Sequence, residues 1–245
     1  IVGAGVIVGA GVIVGAGVLA EAPVVAGVDL LYGRAVGAAP PAHNYDCSDT
    51  TPTAYDARVD QAAMYYSSSS STNAHASTAY SQFRSDAVFF FNGHGLYYDD
   101  SHKGGGIKFS SESWILADTD GHYPGNDQYY IADYGTDIRD VLLAVYLACY
   151  SSHDNQYNGD LLQQTMNKGA DICLGFDGEV EVENGKCWSG SFWDRVRNGE
   201  TVASAASNAK DDCYWHWPIG YWGVDTYEIS GSYNSCLTPA RYGVY

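Results

Sequence analysis

Ala87-Val88-Phe89-Phe90-Phe91-Asn92-Gly93-His94-Gly95 is the stretch whose reading decides the fold. Its apolar residues follow one another without the polar alternation of a half-exposed strand, which fits a strand buried on both faces of a mainly parallel sheet. The His94 imidazole then emerges between two glycines, whose missing side chains let another backbone come close. In open α/β sheets, chemistry sits at the carboxyl ends of the strands.

Two more runs share this character, at residues 141–148 and 171–176. Helical stretches lie at 54–66, 160–168, 189–197 and 201–210, while the serines at 67–71 with the following Thr-Asn read as a polar loop. Strands alternating with helices predict an α/β sandwich, a mainly parallel sheet flanked by helices. The second run ends in Leu147-Ala148-Cys149-Tyr150-Ser151-Ser152, which puts a thiol at the tip of what would be a neighbouring strand. A thiolate attacks and an imidazole shuttles the proton, so Cys149 and His94 are the candidate nucleophile and base. A cysteine ending an apolar strand is more often an inert core thiol, and it is the joint occurrence that points to catalysis.

An apolar run ending in His-Gly, followed later by one ending in Ala-Cys, resembles the hallmark of the caspase, legumain, gingipain and clostripain clan of cysteine peptidases. The downstream order is also similar: Lys168-Gly169-Ala170, a strand, a helix, Asn198-Gly199-Glu200 and an Ala-rich helix, so that the resemblance spans residues 53–230. It implies a caspase-like three-layer sandwich acting on a peptide or protein substrate without a required cofactor. Cys149 would be the nucleophile, His94 the general acid/base, and the backbone N–H groups of Gly95 and Cys149 the oxyanion hole. One departure concerns specificity. Members of the clan often carry an acid two residues before the nucleophile, where this chain has Leu147, so a pocket acid is sought in Asp177 or Glu179 after the third strand.

Twenty-nine acidic against twelve basic residues give a formal charge of −17, which repels phosphate backbones and argues against nucleic acid as a partner. The acidic balance and six cysteines suggest a secreted or cell-surface protein. With Cys149 as nucleophile and Cys173 buried in its strand, Cys47, Cys187, Cys213 and Cys236 remain as an even set for two disulfides. Asp118, Asp120, Asn126 and Asp127 offer oxygen ligands for a structural calcium ion, although turn chemistry explains them equally well. The Trp-rich stretch at 214–222 reads as packing more than as a cleft wall.

The chain opens on Ile1 rather than Met, as a processed product would, and repeats Ile-Val-Gly-Ala-Gly-Val three times through residue 18. Its glycines, β-branching and lack of a basic flank argue for extended structure and against a transmembrane span. Residues 1–20 thus form a β-prone segment or a flexible low-complexity leader, 21–52 a connector, and 53–245 the caspase-like domain. The repeat also supports an alternative function: a self-assembling fibre, sheath or surface layer, its subunits joined through residues 1–18 around a peptidase-like body, active or not.

Overall fold

The computed structural model describes residues 38–47, 50, 52–97, 102–118, 127–135, 138–214 and 223–238. The hexapeptide repeat, with the assembly expected of it, and the tryptophans after Tyr214 lie outside them. The main sheet has six strands: β1 (Pro41–Asp46), β2 (Ser67–Thr72), β3 (Val88–Asn92), β8 (Leu143–Leu147), β9 (Ile172–Phe176) and β10 (Tyr227–Gly231). Their spatial order is β10-β9-β8-β3-β1-β2, all parallel except β10 at one edge. A second, four-stranded sheet holds β4 (His94–Tyr97), β5 (Lys103–Phe109), β6 (Ser113–Leu116) and β7 (Gln128–Tyr130).

The uninterrupted apolar runs are explained by two cores, one on each face of the main sheet. Val88 and Phe90 of β3, with Leu143, Val145 and Leu147 of β8, face α1 (Ala54–Ala63), α4 (Val182–Arg197) and α5 (Val202–Tyr214). Phe89, Phe91, Ala144 and Tyr146 face the other way, onto α2 (Ala76–Phe83), α3 (Leu161–Asn167) and the second sheet. Edge-to-face packing of Phe90 on Trp193 and stacking of Phe89 on Phe83 hold the two layers. Each such ring buries enough apolar surface to contribute about 2–3 kcal/mol. The result is the expected sandwich.

Three local readings change. Residues 41–46, inside the stretch read as a connector, form β1, an internal strand between β3 and the edge strand β2, and the packed body begins at Pro40. The serine run expected as a loop is the edge strand β2. Neither strand shows apolar periodicity, because both are held by backbone ladders and a buried amide network. Asn44 and Gln61 exchange side-chain hydrogen bonds at 2.7 Å, and the Ser68 hydroxyl donates to Gln61 at 2.7 Å. Helix α4 begins at Val182, seven residues ahead of the expected start, because the Glu181 carboxylate accepts from the Asn184 N–H and caps it.

Asp46 ends β1 as a buried carboxylate surrounded by donors. It accepts from the backbone N–H groups of Thr53 and Ala54, capping α1 where Thr53 supplies no side-chain cap of its own, and from the Asn92 amide at 2.8 Å. One side chain therefore joins β1, α1 and the end of β3 that leads to His94. Among the described residues the disulfide is Cys187–Cys213, which ties α4 to α5. The expected second bridge is not formed: Cys47 is buried at the end of β1, and the exposed Cys236 donates its S–H to the Gly199 carbonyl.

Two stability outcomes follow from these tethers. Asp46→Ala leaves buried donors without an acceptor and is expected to lower unfolding free energy by about 3 kcal/mol in a urea titration. Reducing Cys187–Cys213 reopens a loop of 26 residues and is expected to cost about 3–4 kcal/mol, read as a lower melting temperature in dithiothreitol than in buffer.

Candidate active site

The site is built by the register of β3 against β8. These strands run parallel with Asn92 beside Leu147, and the Gly93 N–H extends the ladder by donating to the Leu147 carbonyl at 3.1 Å. Two residues beyond that pair stand His94 on one chain and Cys149 on the other. His94 opens β4 as the chain leaves the main sheet for the second one, while Cys149 enters a turn. Gly95 explains why the histidine is followed by glycine: a β-carbon there would lie 1.6 Å from the Cys149 carbonyl oxygen. The approach of the two tips requires hydrogen in place of a side chain.

His94, Gly95, Tyr97, Cys149 and Tyr150 line a cleft of about 560 Å³. The loop after β9 lines it as well, through Glu179, Val180 and Glu181, as does Gly223. Several hydrogen bonds fix that loop to the Cys149 turn. The Tyr150 N–H donates to the Gly178 carbonyl at 2.9 Å, the Ser152 N–H to Phe176, and the buried Ser151 hydroxyl accepts from the Phe176 N–H while donating to the Tyr146 carbonyl. Gly223, at φ +87°, presses on the Glu179 backbone so closely that a β-carbon would sit 1.5 Å from its carbonyl oxygen.

The Cys149 sulfur is half-buried against Val180, whose N–H donates to it at 3.3 Å. Burial pushes the thiol up, the Val180 hydrogen bond pulls it back, and the negative charge of Glu179 pushes it up again. Cys149 is a thiol outside any disulfide, as a nucleophile must be, and so is Cys173, which is sealed within β9 where burial pushes it far up. Burial raises both thiols, and what separates them is access: Cys149 is half-buried at the cleft, Cys173 wholly buried in its strand.

The other candidates fall into two groups. Gly95 and Cys149, the expected oxyanion donors, are in contact through their backbones. Asp177 is not on the cleft wall; its carboxylate is turned to His153, with Nδ1 and Oδ1 2.6 Å apart. The wall acids are instead Glu179, the other residue considered, and Glu181, whose carboxylate serves the α4 cap. Of the calcium candidates, Asp120 and Asn126 lie outside the described residues, Asp118 donates its N–H to the Asn158 carbonyl, and Asp127 faces His75 at 3.7 Å. Tyr97, Tyr150, Val180 and Gly223 went unremarked in the sequence, which carries no local signal for residues that act through loop contact.

No family model and no curated protein sequence matches the chain. Among solved structures it is similar to the Arg-specific cysteine proteinase gingipain R, with a TM-score of 0.55 at 9% identity over 81% of this chain and 47% of that one. The chain therefore spans about half the length of that proteinase. It also aligns with the separase–securin complex of Saccharomyces cerevisiae, with a TM-score of 0.48 at 14% identity over 83% of this chain and 13% of that one. The chain has the caspase-like fold of the gingipain R structure, and its His94 and Cys149 stand at the carboxyl ends of adjacent parallel strands of that fold.

Proposed function

We propose that the chain is a cysteine endopeptidase in which His94 and Cys149 form the catalytic dyad. The observation that carries this reading is that both residues, brought from separate strands, line one cleft with their backbones in contact through Gly95. With the thiol held above its ordinary value, Cys149 rests as S–H, and His94 takes that proton as Cys149 Sγ attacks the substrate carbonyl. The carbonyl π electrons move to oxygen, and the N–H groups of Gly95 and Cys149 are the donors assigned to that oxyanion. When the intermediate collapses, the C–N bond breaks and His94 returns its proton to the departing amine. Water then attacks the thioester, giving one proton to His94; the C–S bond breaks, the acid product leaves, and His94 reprotonates the sulfur.

A secreted or surface setting is supported by the Cys187–Cys213 bridge and the acidic charge. No helix among the described residues is long and apolar enough to cross a membrane.

Cys149→Ala is expected to abolish hydrolysis of a mixed fluorogenic peptide library, and His94→Ala to lower kcat/KM by about a hundredfold or more. Hydrolysis by the Cys149→Ala chain at the wild-type rate would refute the assignment. The pH dependence has a defined sign as well. Because burial raises the thiol above its ordinary value, the thiolate fraction grows through the alkaline range, and iodoacetamide labelling of Cys149 should keep rising above pH 9. A labelling rate already level between pH 6 and 8 would indicate a preformed thiolate and contradict the protonated resting thiol.

A further inference from the structure

Tyr150 follows the nucleophile directly and adopts φ +57°, a left-handed conformation that is strained for a residue with a side chain. Its ring stacks on Tyr97 with centroids 5.9 Å apart, and the Lys103 ammonium lies 5.0 Å from the ring centre. With the backbone bond to Gly178 these contacts aim the hydroxyl within the cleft, where it donates to Glu179 Oε1 at 3.1 Å. The other acids of this loop are engaged with different groups, Asp177 with His153 and Glu181 with the α4 cap. Glu179 is thus the wall carboxylate whose partner is an uncharged hydroxyl on the residue beside the nucleophile.

We propose that Tyr150 is a specificity-determining cap on Glu179, a hydroxyl that a cationic substrate side chain displaces to pair with the carboxylate while a neutral side chain cannot. The inference rests on the peptidase reading of the same cleft and assigns it lysine- or arginine-bearing substrates. The exchange is favoured because an ammonium or guanidinium brings a full positive charge to the Glu179 carboxylate, and the guanidinium a second parallel N–H, where the phenol brings one O–H dipole. The Tyr150 hydroxyl is itself pushed up to about 12, by burial first and then by Glu179, so it stays a proton donor throughout the neutral range. A cation seated on Glu179 also offsets the charge that pushes the Cys149 thiol up, which aligns recognition with activation.

The test uses the full chain and two alkylating probes of similar size, cationic 2-bromoethylammonium and neutral iodoacetamide, with labelling at the Cys149 peptide followed by mass spectrometry. Tyr150→Phe keeps the ring and its stacking but removes the hydroxyl, and should raise the cationic-to-neutral rate ratio about fivefold, the size of one net hydrogen bond. Glu179→Gln should drop the ratio below wild type, and the double variant should match Glu179→Gln alone. A ratio unchanged by Tyr150→Phe, or both probes slowed equally, would overturn the cap. Because labelling needs no turnover, failure here is separable from failure of the peptidase reading: the latter would appear as hydrolysis that survives Cys149→Ala, whatever the labelling ratios.

Discussion

The parallel pairing of β3 with β8, in register to their last residues, is the constraint on which the rest of the site depends. Register in a sheet is discrete: a slip of one residue turns every side chain to the opposite face, so Phe89 and Phe90 would exchange cores. Two aromatic-rich cores of different shape therefore lock the register, and the locked register sets Asn92 beside Leu147. His94 and Cys149 inherit their proximity from that pair. The packing of two cores thus fixes where two side chains outside those cores stand.

The strand ends leave the loops to be placed, and here buried polar groups take over from apolar burial. Asp46 gathers donors from α1 and Asn92 behind the histidine corner, and Ser151 links the Cys149 turn to β9. Such groups are costly to bury unless satisfied, which makes their geometry specific. The loop after β9 is held in the same way through Gly178, whose N–H donates to the Thr226 hydroxyl, and by the close approach of Gly223. Precision at the cleft comes from this second set of contacts.

What could be read from the sequence follows the same division. The runs that became β3, β8 and β9 were legible because residues buried on both faces must be apolar, and their ends marked His94 and Cys149. β1 was not legible: Asn44 and Asp46 read as connector residues until Gln61, Asn92 and the first turn of α1 are seen to satisfy them. β2 carries six hydroxyl residues because an edge strand with mostly exposed side chains needs only its ladder. The second sheet was hidden by the glycines of β5, which suggest a loop. Composition likewise could not separate Asp177 from Glu179, since the choice rests on His153 drawing one carboxylate away from the cleft. For the cysteines, an even count permitted two bridges, but a bridge forms only where α-carbons approach closely, as the 5.8 Å between Cys187 and Cys213 allows.

An acid beside the candidate nucleophile is at first sight a disadvantage, because Glu179 acts with burial to disfavour the thiolate. The Val180 N–H opposes both from the residue next to Glu179, so one short segment carries the donor that favours thiolate and the charge that disfavours it. The donor is a fixed backbone dipole, present whatever occupies the cleft. The charge is exposed and acts through solvent, and its effect on the sulfur changes with whatever pairs with the carboxylate. On the proposed reading, a rigid favourable contribution beside an exposed unfavourable charge would let the reactivity of Cys149 follow its occupant while the strands that position it stay fixed. A carboxylate beside the candidate nucleophile is then compatible with catalysis, because its charge is the one contribution that a bound cation can offset.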